Sequence, residues 1–171
     1  MRRTAVLSRV AAACLACLVA CAPVRGGEAE PGGKPGVDLH VVIIEATGRG
    51  AGPEFDPRTP RDIRKQLEGL NLAYAKYTLV SDERQVTRFG AEATFGLPEK
   101  EALAIRPSAD EARPDRVRLG CRVLDETRKP ILISPMRVSY DKTFFLQRLK
   151  GATGILMGVS ARKVGDAPPK P

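Results

Sequence analysis

The sequence predicts an α+β fold: a β-α-β start followed by an antiparallel meander, with one helix packed on a twisted sheet or β-roll. Three observations lead there. Residues 39–45, Leu-His-Val-Val-Ile-Ile-Glu, are a nearly continuous β-branched run. Only residues 59–70 carry a convincing helical period. After them, apolar segments recur at intervals of roughly ten to thirteen residues, divided by turn signals.

Each element follows from local chemistry. The run from Leu39 to Glu45 lacks alternation, as expected of a strand buried on both faces. A loop covers Gly48 to Pro57. Thr59 is placed to cap the helix, Pro60 suits its first position and Asp62 follows three residues after the cap. Ile63, Leu67 and Leu70 then form one apolar stripe, leaving Arg61, Arg64, Lys65 and Glu68 to water. Asn71 is the stop signal.

Later strands are expected at Tyr74–Val80, at Gln85–Phe95 with a break near Gly90, and at Ala102–Arg106. Turn signals at Leu97-Pro98 and Arg106-Pro107 separate them. Val117, Leu119, Cys121 and Val123 alternate with Arg118, Gly120 and Arg122, the pattern of a half-buried strand. Ile131–Ser139, Thr143–Leu149 and Gly154–Arg162 complete the series. Aromatic residues are 5% of the chain and Trp is absent, so the core must be built from aliphatic side chains.

The chain has 171 residues, one domain's worth. Its parts are expected to be a signal peptide at 1–21, a flexible tether at 22–36, a single β-rich domain at 37–163 and a disordered tail at 164–171. Residues 1–9 hold Arg2, Arg3 and Arg9 without an acid, and residues 10–22 are apolar. That is a charged n-region and a short h-region. A membrane-spanning helix needs roughly twenty apolar residues, so removal is expected rather than retention. Residues 22–36 are rich in Gly, Pro and Glu and have no apolar period.

Leu18-Val19-Ala20-Cys21 resembles the lipobox of bacterial lipoproteins. The resemblance implies that Cys21 becomes the lipidated first residue of the mature chain. Ala22 after the cysteine, rather than Asp, implies sorting to the outer membrane. The alternative is ordinary cleavage after Ala20 or Ala22 and a soluble periplasmic or secreted product. A second resemblance rests on Asp56-Pro57, the helix, Tyr74 and Tyr77, then Ile105-Arg106-Pro107, Val117-Arg118-Leu119 and Gly154-Ile155-Leu156. These are similar to a group of exported bacterial domains of uncharacterised role, whose strand pattern is loosely similar to secretin modules. That resemblance carries no catalytic residues.

Net charge is +8. Loss of the three arginines of residues 1–20 leaves it near +5. Residues 113–163 hold twelve Lys or Arg against four acids, whereas residues 81–111 hold seven acids against four bases. A basic second half points to an anionic neighbour, which outside the cytoplasm is lipid, envelope polymer or an acidic protein rather than nucleic acid. Arg118 and Arg122 share the outward face of one strand. Arg137, Arg148 and Lys150 extend it to a candidate anion- or partner-binding face if neighbouring strands align.

Other constellations give less. His40 is the single histidine and has no second ligand at strand spacing. Cys121 falls on the inward face of its strand, unlike a nucleophilic thiol. Gly48-Arg49-Gly50-Ala51-Gly52 lies between strand and helix but matches neither dinucleotide nor Walker spacing, leaving a surface or binding loop. No catalytic residue, metal site or cofactor is expected. The expected role is a non-catalytic envelope lipoprotein on the periplasmic side of the outer membrane, acting as a binding or assembly module. The alternatives are a secreted enzyme of unrecognised type using His40 or Cys121, and a structural accessory protein of a secretion or envelope complex.

Overall fold

The computed structural model describes residues 36–50 and 52–164, and among them are nine strands, one nine-residue α-helix and a single 3-10 turn at Pro98–Lys100. The expectations for the signal peptide and lipobox, for nearly all of the tether, and for the tail past Val164 lie outside the described residues. The strands are β1 (Gly36–Thr47), β2 (Glu54–Phe55), β3 (Lys76–Arg88), β4 (Ala93–Gly96), β5 (Ala102–Ala109), β6 (Arg116–Leu124), β7 (Pro130–Ser139), β8 (Thr143–Lys150) and β9 (Thr153–Lys163). The helix α1 is Arg61–Gly69.

The strands form two sheets, ordered β2-β3-β1-β9-β8 and β4-β5-β6-β7. This corrects the α+β expectation: the fold is mostly β, with 60% of the described residues in strands and 9% helical. The β-α-β start is corrected as well, since β1 and β3 pair antiparallel. A meander does exist, but it is only the second sheet. Alternation in a strand marks which side chains are buried without saying what buries them. Here the main partner is another sheet.

The main core lies between the sheets. Val37, Leu39, Val41 and Ile43 of β1 and Ile155, Met157, Val159 and Ala161 of β9 meet Phe95, Leu103, Ile105, Val117, Leu119, Cys121 and Val123 from the second sheet. Each fully buried aliphatic side chain stabilises the fold by about 1.5–3 kcal/mol. The alternate residues of β1 point outward. Val42, Ile44 and Ala46 are covered by Ile63 and Leu67 of α1, with Tyr77 and Leu156. So β1 is buried on both faces, as its unbroken apolar run requires. The helix reaches only the Val42–Ala46 half of that outer face. Asp38 and His40, in the other half, stay partly open.

Four local expectations are also corrected. Thr59 does not cap α1: Pro60 occupies that position and, among the described residues, no side chain caps the helix and the buried Thr59 hydroxyl has no partner. Arg64 instead fixes the entry, its Nε donating to the Thr59 carbonyl at 2.9 Å. Leu70 lies past the helix and is 47% exposed. The strand expected at Gln85–Phe95 breaks near Gly90 as expected, but its first part is not a separate strand: residues to Arg88 belong to β3, which runs unbroken through Ser81-Asp82-Glu83-Arg84, and β4 is four residues long. These polar residues hold strand geometry because β1 pairs with them throughout, while β2 occupies only Lys76 and Tyr77 on the other edge.

Finally, Arg106-Pro107 is not a turn but the middle of β5. β4 pairs only with Ala102–Ile105. Beyond that point the Pro107 carbonyl accepts from Gly90 N–H at 2.7 Å. N–H and C=O of one strand residue point to the same side, so the missing Pro107 donor faces an edge where no ladder continues.

Candidate functional site

Alternation along β6 sends Val117, Leu119, Cys121 and Val123 into the core and Arg118, Gly120 and Arg122 to the outer face of the second sheet. Register then decides their neighbours, because directly opposed residues of antiparallel strands share a face. Ser108, Arg118 and Arg137 form one row across β5, β6 and β7. Arg106, Gly120 and Pro135 form the next, and Ala104, Arg122 and Ile133 the third. Four arginines therefore surround Gly120. With no side chain at Gly120, a groove of about 710 Å³ opens over it, lined by Arg106, Ser108, Arg118, Pro135 and Arg137.

One carboxylate anchors this arrangement. Asp110 is 3% exposed and lies just past the end of β5. Arg118 donates to its Oδ1 at 3.2 Å, and Arg137 Nε lies 3.6 Å from Oδ2. The Arg118 hydrogen bond, reinforced by the charges of Arg118 and Arg137 and opposed by desolvation, holds the Asp110 carboxyl below the usual carboxylate range. Arg122 pairs with Glu92. Arg106 is exposed and makes no ion pair among the described residues.

The five basic residues singled out from sequence divide into two groups. Arg118, Arg122 and Arg137 come together. Arg148 and Lys150 do not, because they stand on β8 of the first sheet. Arg148 pairs with Glu101, and Lys150 with Glu99 and, at 3.8 Å, Glu101. These pairs tie the end of β8 to the turn that precedes β5. Arg106 was missed. Its signal was alternation counted from Leu103 through Ile105, which the proline at 107 obscured.

Cys121 is buried in the core, and burial pushes its thiol up to about 12. His40 lies on the outer face of the opposite sheet, so the two do not form a nucleophile–base pair. His40 has a different partner: its Nε2 lies 2.6 Å from Asp82 Oδ1. Ser160 stands directly across from His40 on β9, and Arg84 across from it on β3. Arg162, held by Asp141 at 2.8 Å, and the start of α1 close a polar groove of about 390 Å³ around them. Sequence spacing could not disclose this pair, whose members are 42 residues apart. Among the described residues, no three His, Cys, Asp or Glu side chains are grouped to hold a metal ion. The glycine loop after β1 begins with Gly48 at a φ of 72° and shares a cavity with Arg49, Tyr74 and Leu149.

Fold and face together define a two-sheet β protein that carries an arginine-lined outer groove. No protein-family model matches the chain, and no curated protein or solved structure matches it either.

Proposed function

We propose that this protein is a periplasmic cell-envelope lipoprotein, held through Cys21 and acting as a binding or assembly module. Its docking surface is the outer face of the second sheet, and its partner is anionic. One observation carries the binding role: Arg106, Arg118, Arg122 and Arg137 converge around Gly120, paired among the described residues only with Glu92 and the buried Asp110. Two of these four charges remain uncompensated. Guanidinium groups bind phosphate or carboxylate oxygens through paired N–H donors. Supporting the anchor are the sequence Leu18-Val19-Ala20-Cys21 and the apolar run before it.

Two experiments test this role. Metabolic labelling with a radioactive fatty acid should mark the wild-type protein and not Cys21→Ser; equal labelling would sink the anchor. Unlipidated Cys21→Ser protein should bind polyphosphate at low salt, and Arg106→Glu with Arg122→Glu should abolish that binding. These two arginines are chosen because Asp110 depends on neither. Polyphosphate binding that survives the double change would sink the docking face.

A second role, an enzyme of unrecognised type, draws on the His40–Asp82 pair with Ser160 opposite. Antiparallel partners place their Cβ atoms about 4.5–5.5 Å apart, so a rotamer change could bring the Ser160 hydroxyl to the free ring nitrogen. Labelling of Ser160 by a fluorophosphonate probe, lost in His40→Ala, would favour it. No labelling of Ser160 would dismiss it.

A further inference from the structure

Resting on the anion-binding role just proposed, we infer that the anionic partner of this face is the phosphate-bearing surface of a lipid bilayer. The observation that separates a bilayer from a soluble polyanion is apolar. Ile133 stands directly across from Arg122 on the same outer face and is 64% exposed. Ile131, two residues earlier on β7, is 43% exposed. β7 is the last strand of its sheet, so among the described residues no neighbouring strand flanks these side chains on that side. A soluble polyphosphate gains nothing from two open isoleucines beside the cations. A bilayer takes both, with guanidinium groups at the lipid phosphates and branched apolar side chains at the headgroup–acyl boundary.

Charge and connectivity agree with this occupant. The two acids near the arginines are Asp110, buried beneath Arg118 and Arg137, and Glu92, already paired with Arg122. Neither opposes an anionic surface as a free carboxylate would. The groove also adjoins the place where the chain enters the fold. Gly90, on its rim, follows two residues after Arg88, which pairs with Gly36 at the start of β1. The fifteen residues from Cys21 to Gly36 span at most about 50 Å when extended. An anchor at Cys21 is therefore long enough for this face to lie on the membrane that holds it.

The test is flotation of the full chain, made unlipidated by Cys21→Ser, with vesicles of phosphatidylcholine alone or mixed with phosphatidylglycerol. Polyphosphate binding is measured in parallel. The protein should float with the anionic vesicles about tenfold more tightly than with the neutral ones, and salt should weaken the association. Arg106→Glu should weaken both vesicle and polyphosphate binding. Ile133→Ser should weaken vesicle binding about tenfold and leave polyphosphate binding unchanged. Polyphosphate binding without vesicle binding, or vesicle binding indifferent to Ile133→Ser, would overturn the bilayer and leave the anion-binding role standing. Binding to neither would remove both.

Discussion

Arg118 and Arg137 stand directly opposite each other on β6 and β7, and both lean on the single buried carboxylate of Asp110. Two like charges side by side on a sheet repel. Asp110 offsets that repulsion from beneath, so the outer face keeps its cations without straining the sheet.

Stability should therefore depend on Asp110 in a pH-dependent way. Its folded-state pKa is lowered, so its contribution is complete above the unfolded value, near 4, and is lost as pH falls through the folded value. Asp110→Asn should lower the urea midpoint at pH 7. The gap between variant and wild type should narrow as pH falls below about 4. A gap constant from pH 7 to pH 3 would contradict this account of the site.

The short helix should matter through one stripe only. Leu67→Ala empties a fully buried position over β1 and should cost about 2–5 kcal/mol. Leu70→Ala, at the exposed position past the helix, should change stability by less than about 0.5 kcal/mol. Chemical denaturation of both variants decides whether the stripe ends at Leu67.

Gly154 permits the close approach of Tyr74. A Cβ at residue 154 would lie 2.4 Å from the Tyr74 hydroxyl oxygen and 2.7 Å from the ring carbon that bears it. Gly154→Ala should destabilise by about 1–3 kcal/mol. Because the clash has one partner, the effect should be smaller in a Tyr74→Ala background, and a double-mutant cycle reads that coupling directly.

Cys121 should be silent in the native protein. Its thiol is buried and its pKa is pushed up to about 12, so almost no thiolate forms at pH 8. Iodoacetamide should label the Cys121 peptide in urea and leave it unmodified under native conditions, as mass spectrometry of digests would show. Rapid native labelling would mean that the two sheets part more readily than their core implies.

Much of this architecture was legible in the residues. The unbroken run at β1 announced burial on both faces, and β6 announced its two faces through strict alternation. Ile63 and Leu67 marked the helix. What stayed hidden was which layer each face would meet. The polar stretch Ser81–Arg84 carries no apolar signal because β3 borrows its order from β1. Pro107 reads as a turn until the edge beside it is known to be open. At the site, Arg118 and Arg122 could be found from period alone, whereas Arg137 joined them through the register of β6 against β7. Whether Arg148 and Lys150 joined them depended on sheet membership, which one strand's alternation does not encode. The pairing of His40 with Asp82 likewise waited on the register of β1 against β3.

Val37 and Lys163 are direct partners on adjacent strands, so the first and last strands of the fold meet side by side. A loop of a few residues could join them and leave every strand in place. The same polypeptide could then be opened elsewhere as a circular permutant, for example between Gly151 and Ala152. Equally, the whole unit could be spliced into a surface turn of a host protein, entering and leaving through one narrow gate.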